Sequence, residues 1–171
     1  QEYYGLSPTK PIVLAFFNAT LFLTEDGAWT QLQSILQNSP WFLRHGSLRG
    51  SKNVEYIPEK NIQFIIGSDA THGLGKDIFA GLLDEVDFVK GSNANVLASK
   101  MMKTYHAVKQ RMKSRFLRSG GDLPAMLFIV SSKKSEQDFI EQYIDKVKHR
   151  PEVLVIDEPQ WNVKPNDIYS G

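Results

Sequence analysis

The chain has 171 residues, of which 42% are hydrophobic and 23% are charged, and its formal net charge is +1. These values are typical of an ordinary globular protein and exclude a disordered or fibrous one. The chain contains no cysteine, which excludes disulfide frameworks and thiolate metal sites, and it has neither a membrane-length apolar run nor a signal-peptide pattern. We expect one domain over residues 1–171, in the cytoplasm and outside any membrane.

Strands and helices are predicted to alternate along the first half of the chain. Residues 12–17 and residues 62–67 form continuous apolar runs, which are typical of buried strands. Between them, residues 28–38 have the apolar spacing of a helix, which Pro40 ends, and a short exposed strand is predicted at residues 54–56. The first half therefore contains two strands suited to the interior of a sheet.

The same alternation continues in the second half. Apolar runs at residues 78–83, 125–130 and 153–156 predict three more buried strands, and helices are predicted at residues 93–118 and 136–148. Buried strands that alternate with helices predict an α/β fold with three layers around a mostly parallel sheet. The longer helix has one apolar stripe at spacings of three and four, formed by Leu97, Met101, Tyr105, Val108, Met112 and Phe116.

Two adjacent acids, Asp84 and Glu85, follow the predicted strand at residues 78–83. Open α/β sheets bind ligands at the carboxyl ends of their strands, and an apolar run that ends in two acids is the pattern of a Walker B element. In such an element the first acid supports a magnesium ion, and the second orients or deprotonates an attacking water. The alternative is a core strand that meets two solvated acids at a turn, and the pattern alone leaves both open.

Residues 70–77 match the A-x-x-x-x-G-K pattern of a phosphate-binding loop, but two features argue against that interpretation. Asp77 stands where a serine or threonine hydroxyl should meet the magnesium ion, and a carboxylate there would repel phosphate. A P-loop lysine opens a helix, whereas Lys76 is followed by a strand-like run. We interpret the segment as a mobile glycine-rich connection between two neighbouring strands.

A second apolar run that ends in acids occurs at residues 153–158, where Asp157 and Glu158 are the acids. Pro159 follows at once, and no predicted strand lies downstream to carry a phosphate sensor. We therefore favour the pair Asp84 and Glu85, and we interpret the second pair as a turn at the end of a strand.

Two hydroxyl residues, Ser131 and Ser132, follow the predicted strand at residues 125–130. In nucleotide-driven motors, a hydroxyl residue on the strand beside Walker B can sense the terminal phosphate. The alternative is that both serines only begin a turn before the next helix. The order of acid pair, long helix and hydroxyl strand favours the sensing role.

The long helix carries positive charge without acids. No aspartate or glutamate occurs between residues 88 and 121, although an exposed helix gains stability from opposite charges four residues apart. Contact with a phosphate backbone explains such a stretch, and a solvated helix face is the alternative. The candidates for sequence-independent contact with DNA are Lys100, Lys103, Lys109, Arg111 and Lys113.

In this combination and order, the motifs resemble the ATPase domain of the large terminase subunit, the DNA-packaging motor of tailed bacteriophages. The resemblance covers most of the chain. It is carried by Asn18, Leu32, Leu36, residues 39–42, residues 67–73, residues 82–88, Arg115, Phe116, residues 129–132 and Trp161.

The resemblance implies a P-loop NTPase fold of the ASCE type and an ATP-dependent motor. Asp84 would be the Walker B acid that supports Mg²⁺, mainly through water, and Glu85 the catalytic carboxylate, while Ser131 and Ser132 would form the coupling motif. ATP and Mg²⁺ are the implied cofactors. The implied partners are double-stranded DNA, the portal of the procapsid, the small terminase subunit and further copies in a ring, all within the cytoplasm of the host cell.

The sequence also departs from the pattern of this family. The P-loop of the family should lie upstream of the first strand, residues 1–11 contain no such motif, and the nuclease domain is also missing. His72 stands where relatives often have a basic residue before glycine, so a constant positive charge there is in doubt. The resemblance is thus to the central part of a longer protein, incomplete at its N-terminus. We expect that this chain alone neither binds ATP tightly nor hydrolyses it.

Two other functions stay open on the sequence. A helicase-like nucleic-acid ATPase would share the acid pair and the hydroxyl sensor. A non-enzymatic α/β module would use its basic helix to bind nucleic acid or an acidic partner, and its affinity would not depend on nucleotide.

Overall fold

A computed structural model of the chain describes residues 7–18, 20, 25–46, 48–73, 75–85, 94–132, 139–159 and 162. The chain divides into two compact units, Gln1–Ser132 and Lys133–Gly171. The first contains a six-stranded sheet and its helices. In the second, the described residues contain the helix Phe139–Val147. The prediction of a single domain stays a prediction.

The six strands of the sheet are β1 Ile12–Asn18, β2 Arg49–Ser51, β3 Val54–Ile57, β4 Ile62–Gly67, β5 Asp77–Asp84 and β6 Met126–Val130. The sheet is mixed but mostly parallel, and its strands stand in the order β2-β3-β4-β1-β5-β6. The strands β4, β1, β5 and β6 are parallel to one another, whereas β2 and β3 extend the sheet by antiparallel pairing. The predicted α/β class with a mostly parallel sheet is confirmed.

The described residues contain four α-helices, three of which overlap predicted helices. The helix Pro40–His45 was not predicted, because Pro40 was expected only to end the preceding helix, whereas proline is tolerated at the first position of a new one. None of the helices in the described residues is both long enough and apolar enough to cross a membrane. A π-helical turn, Glu25–Trp29, precedes the first helix, and short 3₁₀ turns occupy Pro58–Lys60 and Ala70–Gly73. The helices are α1 Thr30–Asn38, α2 Pro40–His45, α3 Ala94–Phe116 and α4 Phe139–Val147.

Helix α3 covers one face of the sheet, which we call the α3 face. From Met101 to Phe116 every residue of the predicted apolar stripe is buried, whereas the side chain of Leu97 lies outside the described residues. A Cβ atom added at Gly81 on β5 would lie 3.1 Å from Val108 and 3.3 Å from Met112. Glycine therefore lets the helix pack directly against the backbone of β5.

The opposite face, which we call the α1 face, is covered over β1 and β4. Leu36 of α1 and Trp29 before it form a buried cluster with Phe64, and Phe16 of β1 packs against this cluster. The indole of Trp29 donates a hydrogen bond to the Lys52 carbonyl at 3.0 Å, which ties the turn before α1 to the β2–β3 connection. These contacts fix α1 over the β1–β4 half of the sheet.

An irregularity between β1 and β5 changes the register of the two strands. Val13 pairs with Ile78, but the next residue, Leu14, pairs with Ala80, so that β5 contains one extra residue. Phe79 is this extra residue, and its ring meets Phe116 of α3 at 5.2 Å. A bulge of this kind resets which residues of a strand face each side.

The structure corrects three predictions about strands. The strand predicted as exposed at residues 54–56 is internal, with Glu55 and Ile57 buried, because β2 pairs on its outer side. The strand β6, predicted as buried, is about half exposed at alternate residues. Residues 153–156 form no strand, and Leu154 is 84% exposed, because an apolar run has strand propensity but still needs a neighbour with which to pair.

Candidate functional site

Three residues, one at the end of each of the parallel strands β1, β5 and β6, lie in one row at the carboxyl edge of the sheet. Asn18, the last residue of β1, pairs in register with Asp84, and Asp84 pairs with Val130, the last residue of β6. The Asn18 amide donates to Asp84 Oδ2 at 3.5 Å, and Asn18 is only 3% exposed. The predicted Walker B aspartate therefore lies in the middle of this edge, beside a buried amide.

Glu85 follows with an unusual backbone conformation. Its φ is 52°, in the left-handed region that residues with a side chain rarely adopt. The other described residue of this kind, Asn61, has a local explanation, because asparagine tolerates this region and its amide donates to the Pro8 and Lys10 carbonyls. Strained residues that are not glycine cluster at functional sites, so the turn at Glu85 is consistent with a functional carboxylate.

The charge of Asp84 is not compensated by the described residues. Among them, no lysine, arginine or histidine forms an ion pair with Asp84 or Glu85, and no group of three or more acids and histidines is arranged to hold a metal. A half-buried carboxylate without a cation can take an external one. The donor set fits Mg²⁺, which binds through one or two carboxylates and keeps several waters, better than a metal that needs an all-protein cage.

The two serines of the predicted coupling motif lie next to this row. Because Val130 is in register with Asp84, Ser131 and Ser132 directly follow the strand beside the acid pair. Ser131 is half-buried and Ser132 is exposed. The order of acid strand and neighbouring hydroxyl strand is as the sequence indicated, while the sensing role stays a prediction.

Sequence reasoning missed a polar cluster that follows β4 at the same edge. The Asp69 carboxylate accepts hydrogen bonds from the Thr71 hydroxyl, from the Thr71 backbone N–H at 2.9 Å and from His72 Nδ1 at 3.1 Å. The Thr71 hydroxyl is the main cause that lowers the pKa of Asp69 below its ordinary value, although burial opposes the shift. Lys100 of α3 reaches Ser68 Oγ at 3.4 Å and lies 3.9 Å from Asp69. The signal in the sequence was three polar residues, 68, 69 and 71, directly after an apolar run.

The segment that resembles a P-loop has a different structure. A 3₁₀ turn is followed by β5, so that no helix opens at Lys76, whose ammonium donates to Gln63 Oε1 at 3.2 Å. Asp77 is the first residue of β5, and its buried carboxylate lies 3.0 Å from Nε of Arg115. The segment does connect two strands, as interpreted, but β4 and β5 are not neighbours in the sheet, because β1 lies between them.

The candidate DNA contacts on α3 do not share one environment. Lys103 and Lys113 are exposed, and Arg111 is half-buried. Lys109 donates to the Tyr105 hydroxyl at 2.8 Å, with its ammonium 5.3 Å from the ring centre. Lys100 belongs to the cluster at the carboxyl edge. Contact with DNA stays a prediction, and the exposed pair Lys103 and Lys113 is its best basis.

The fold is similar to that of a known protein, although the sequence alone matches none. No protein-family model matches the sequence, and no similar protein is found among the curated ones. A solved structure, the large terminase from a thermophilic bacteriophage in complex with ADP, matches with a TM-score of 0.52 and 12% sequence identity. The match covers 82% of this chain and 31% of that chain. It shows a shared α/β fold, and this chain spans under a third of the length of the terminase.

Proposed function

We propose that this chain is part of a nucleotide-hydrolysing motor and supplies its acid pair. The observation that carries the proposal is the half-buried carboxylate of Asp84 at the carboxyl edge, which accepts from the buried amide of Asn18 and forms no ion pair with a cation among the described residues. The similarity of the fold to a terminase solved with ADP supports a nucleotide as the ligand. The strained backbone of Glu85 supports a functional acid at the next position.

Each residue of the edge has a role in this proposal. Asp84 would hold Mg²⁺ through water, and the ion, when bound, supplies positive charge that neutralises the phosphates. Asn18 donates to one oxygen of Asp84 and so orients the carboxylate. Glu85 orients the attacking water and accepts its proton during hydrolysis, because it directly follows Asp84 and forms no ion pair with a cation among the described residues.

The hydroxyls of Ser131 and Ser132 would detect the loss of the terminal phosphate. They follow β6, which pairs directly with β5, the strand that ends in Asp84. Because the two strands are a single strand spacing apart, a shift in position at the end of one would also move the end of the other. The long helix α3 connects these same two strands. Movement at the edge would thereby reach the basic helix.

The polymer moved by the motor would be double-stranded DNA. Lys103 and Lys113 are exposed on an acid-free helix, which favours phosphate contacts that do not depend on sequence. In this proposal the complete protein packages viral DNA into a capsid. It would act as a ring of copies with a portal and a small terminase subunit.

Replacing Glu85 by glutamine tests the proposal in the protein that includes a P-loop segment. Glutamine keeps the size of the side chain but cannot accept the proton, so we expect ATP turnover to fall by about 100-fold or more while nucleotide binding is retained. A phosphate-release assay and a fluorescent nucleotide titration measure the two quantities. Glu152→Gln, at an exposed position outside the site, is the matched control.

The outcomes separate the proposed functions. Turnover that survives in Glu85→Gln would remove the catalytic assignment. Turnover by the 171-residue chain alone would contradict the expectation that a P-loop segment is required. DNA affinity that is equal with and without nucleotide across a salt series would favour a non-enzymatic binding module, and strand separation without packaging would favour a helicase.

A further inference from the structure

Glu55 of β3 is a buried carboxylate that meets no cation from its own chain. It is 5% exposed, and its Oε1 accepts a hydrogen bond at 2.8 Å from the neutral side-chain amide of Gln33 on α1. Among the described residues, no lysine, arginine or histidine forms an ion pair with Glu55. A buried carboxylate needs a compensating positive charge, because its desolvation is costly. At Glu55 that charge has to come from outside the part of the chain that the structure describes.

The two basic residues of the hairpin formed by β2 and β3 are directed elsewhere. The ammonium of Lys52, between the two strands, lies 3.3 Å from Oε2 of Glu25. Arg49 stands next to Gly50, which pairs in register with Glu55. Because successive residues of a strand face opposite sides of the sheet, Arg49 points to the α3 face, whereas Glu55 lies on the α1 face. The hairpin therefore contains cations, but neither of them compensates Glu55.

Gly50 allows this carboxylate to extend over β2. A Cβ atom added at Gly50 would lie 2.5 Å from Oε1 and 2.6 Å from the carboxyl carbon of Glu55, so any other residue would displace the carboxylate. A glycine inside a strand often marks a place that a ligand or another backbone approaches closely. Solvent still reaches Oε2 of Glu55, because the only described side-chain atom that is both fully buried and without a hydrogen bond is Oδ1 of Asp77.

An open edge of the sheet lies directly beside this glycine. In the described part of the chain, β2 pairs with β3 alone and ends the sheet, and its three residues are all exposed. An open strand edge presents unpaired backbone N–H and C=O groups that readily take a further strand. A residue of such a strand opposite Gly50 would stand on the same face as Glu55, with no side chain between them.

The charge of Glu55 and the open edge together favour a basic polypeptide over other occupants. Phosphates of a nucleic acid would be repelled by the carboxylate, and a nucleic acid has no peptide groups to pair with β2. A second copy that added its own β2 about a twofold axis would place Gly50 opposite Gly50 and bring the two Glu55 carboxylates together without a cation. The apolar run of this chain at residues 153–156 contains no lysine or arginine.

We propose that β2 binds an extended segment of a partner protein whose arginine or lysine lies opposite Gly50 and pairs with Glu55. Backbone hydrogen bonds to β2 supply affinity, and the ion pair supplies specificity, as in other cases of strand addition. Arginine is favoured, because a guanidinium is more weakly hydrated than an ammonium and therefore pairs better with a mostly buried carboxylate. This edge plays no part in the proposed function, since three strands separate β2 from β5.

Synthetic peptides of about seven residues test this binding on the 171-residue chain. Each peptide alternates threonine and valine and carries arginine, glutamine or glutamate at its centre, and fluorescence anisotropy measures its affinity. At low salt we expect the arginine peptide to bind about tenfold more tightly than the glutamine peptide, because a hydrogen bond between charged groups is worth more than a neutral one. The glutamate peptide should bind most weakly, and high salt should reduce the preference for arginine.

Replacing Glu55 by glutamine should abolish the preference for arginine without weakening the glutamine peptide, because the β2 edge stays intact. Glu59→Gln, at an exposed position just after β3, is the matched control and should keep the preference. Without peptide, Glu55→Gln should unfold at the same temperature as the parent or at a higher one, because removing an uncompensated buried charge relieves its desolvation cost. A purely structural role of Glu55 would instead lower the melting temperature.

Equal affinity of the parent for the three peptides would overturn the proposal, as would an arginine preference that survives in Glu55→Gln or a lower melting temperature of that variant. A parent that sediments as a dimer, with Glu55→Gln monomeric, would assign the edge to a second copy instead. If Glu55→Gln does not fold, Gly50→Ala displaces the carboxylate and should remove the preference. No nucleotide is present in these measurements, so their outcome is independent of turnover in Glu85→Gln.

Discussion

The two ends of β5 carry the same residue type in contrasting surroundings. Asp77 begins the strand with a side chain that is 2% exposed, and Nε of Arg115 lies 3.0 Å from its Oδ1. Asp84 ends the strand half-buried, and the group that meets it is the neutral amide of Asn18 at 3.5 Å. Asp77 is balanced by a cation from its own chain, whereas Asp84 meets no cation among the described residues.

This contrast separates a structural acid from a candidate functional one. A buried carboxylate needs a compensating positive charge, because desolvation is costly. Arg115 supplies that charge to Asp77 and ties the end of α3 to the start of β5. At Asp84 the compensating charge has to come from outside the described residues, as a bound cation would provide. The partner of an aspartate, more than its place on a strand, indicates its role.

The largest expected effect is a loss of stability at the Asp77 end of β5. Arg115→Met leaves Asp77 buried without a cation, and we expect the free energy of unfolding to fall by about 3 kcal/mol. Urea denaturation measures it. The matched control is Arg118→Met, which removes an exposed pair with Asp122 and should cost about 0.5 kcal/mol or less. Equal losses in the two variants would remove the structural distinction between the ends of β5.

At the Asp84 end of β5, removing the negative charge of the carboxylate should cost little stability and should abolish the response to magnesium. For Asp84→Asn we expect the free energy of unfolding to change by about 1 kcal/mol or less without metal, because Asp84 forms no ion pair with the described residues. Under the proposed function, in a longer protein that includes a P-loop segment, Mg²⁺ with ADP should raise the melting temperature of the parent but not of this variant. Asp122→Asn is the control that should keep the rise. A retained rise in Asp84→Asn would mean that the cation binds elsewhere.

At Asp69, whose carboxylate accepts hydrogen bonds from Thr71 and His72, the expected loss of stability is smaller than that in Arg115→Met. Because its pKa is lowered in the folded state, ionised Asp69 contributes stability above the ordinary pKa of about 3.9, and this contribution is lost as the pH falls through the folded pKa. We expect Asp69→Asn to lower the free energy of unfolding by about 1 kcal/mol above pH 5.

Urea unfolding from pH 7 to pH 2.5 checks this dependence. The gap between the parent and Asp69→Asn should narrow below pH 4. A gap that stays constant down to pH 2.5 would show that the hydrogen bonds to Asp69 do not favour its ionised form.

Local sequence signals predicted many of the helices and strands but not the order of the strands in the sheet. The spacing of Met101 and its partners indicated α3 correctly, because helical periodicity depends only on neighbours along the chain. The burial of Glu55 and the exposure of Phe128 depend instead on which strand pairs with which, and periodicity does not determine strand order.

The candidate site was likewise predictable only where its residues are adjacent in the sequence. Asp84 and Glu85 stood out because two acids end an apolar run. The pairing of Asp84 with Asn18 joins positions that are 66 residues apart, and no local pattern reports it. The hydrogen bonds to Asp69 were overlooked because small polar residues after a strand usually indicate only a turn.

The single extra residue in β5 determines with which residue of β1 each later residue of β5 pairs. Val13 pairs with Ile78, so uninterrupted pairing would have matched Asn18 with Leu83 and left the aspartate beyond the end of the row. Because Phe79 is the extra residue between Ile78 and Ala80, the strand advances by one position and Asp84 arrives level with Asn18. Deleting one residue there would move Asp84 out of register with Asn18 without replacing any side chain of the candidate site.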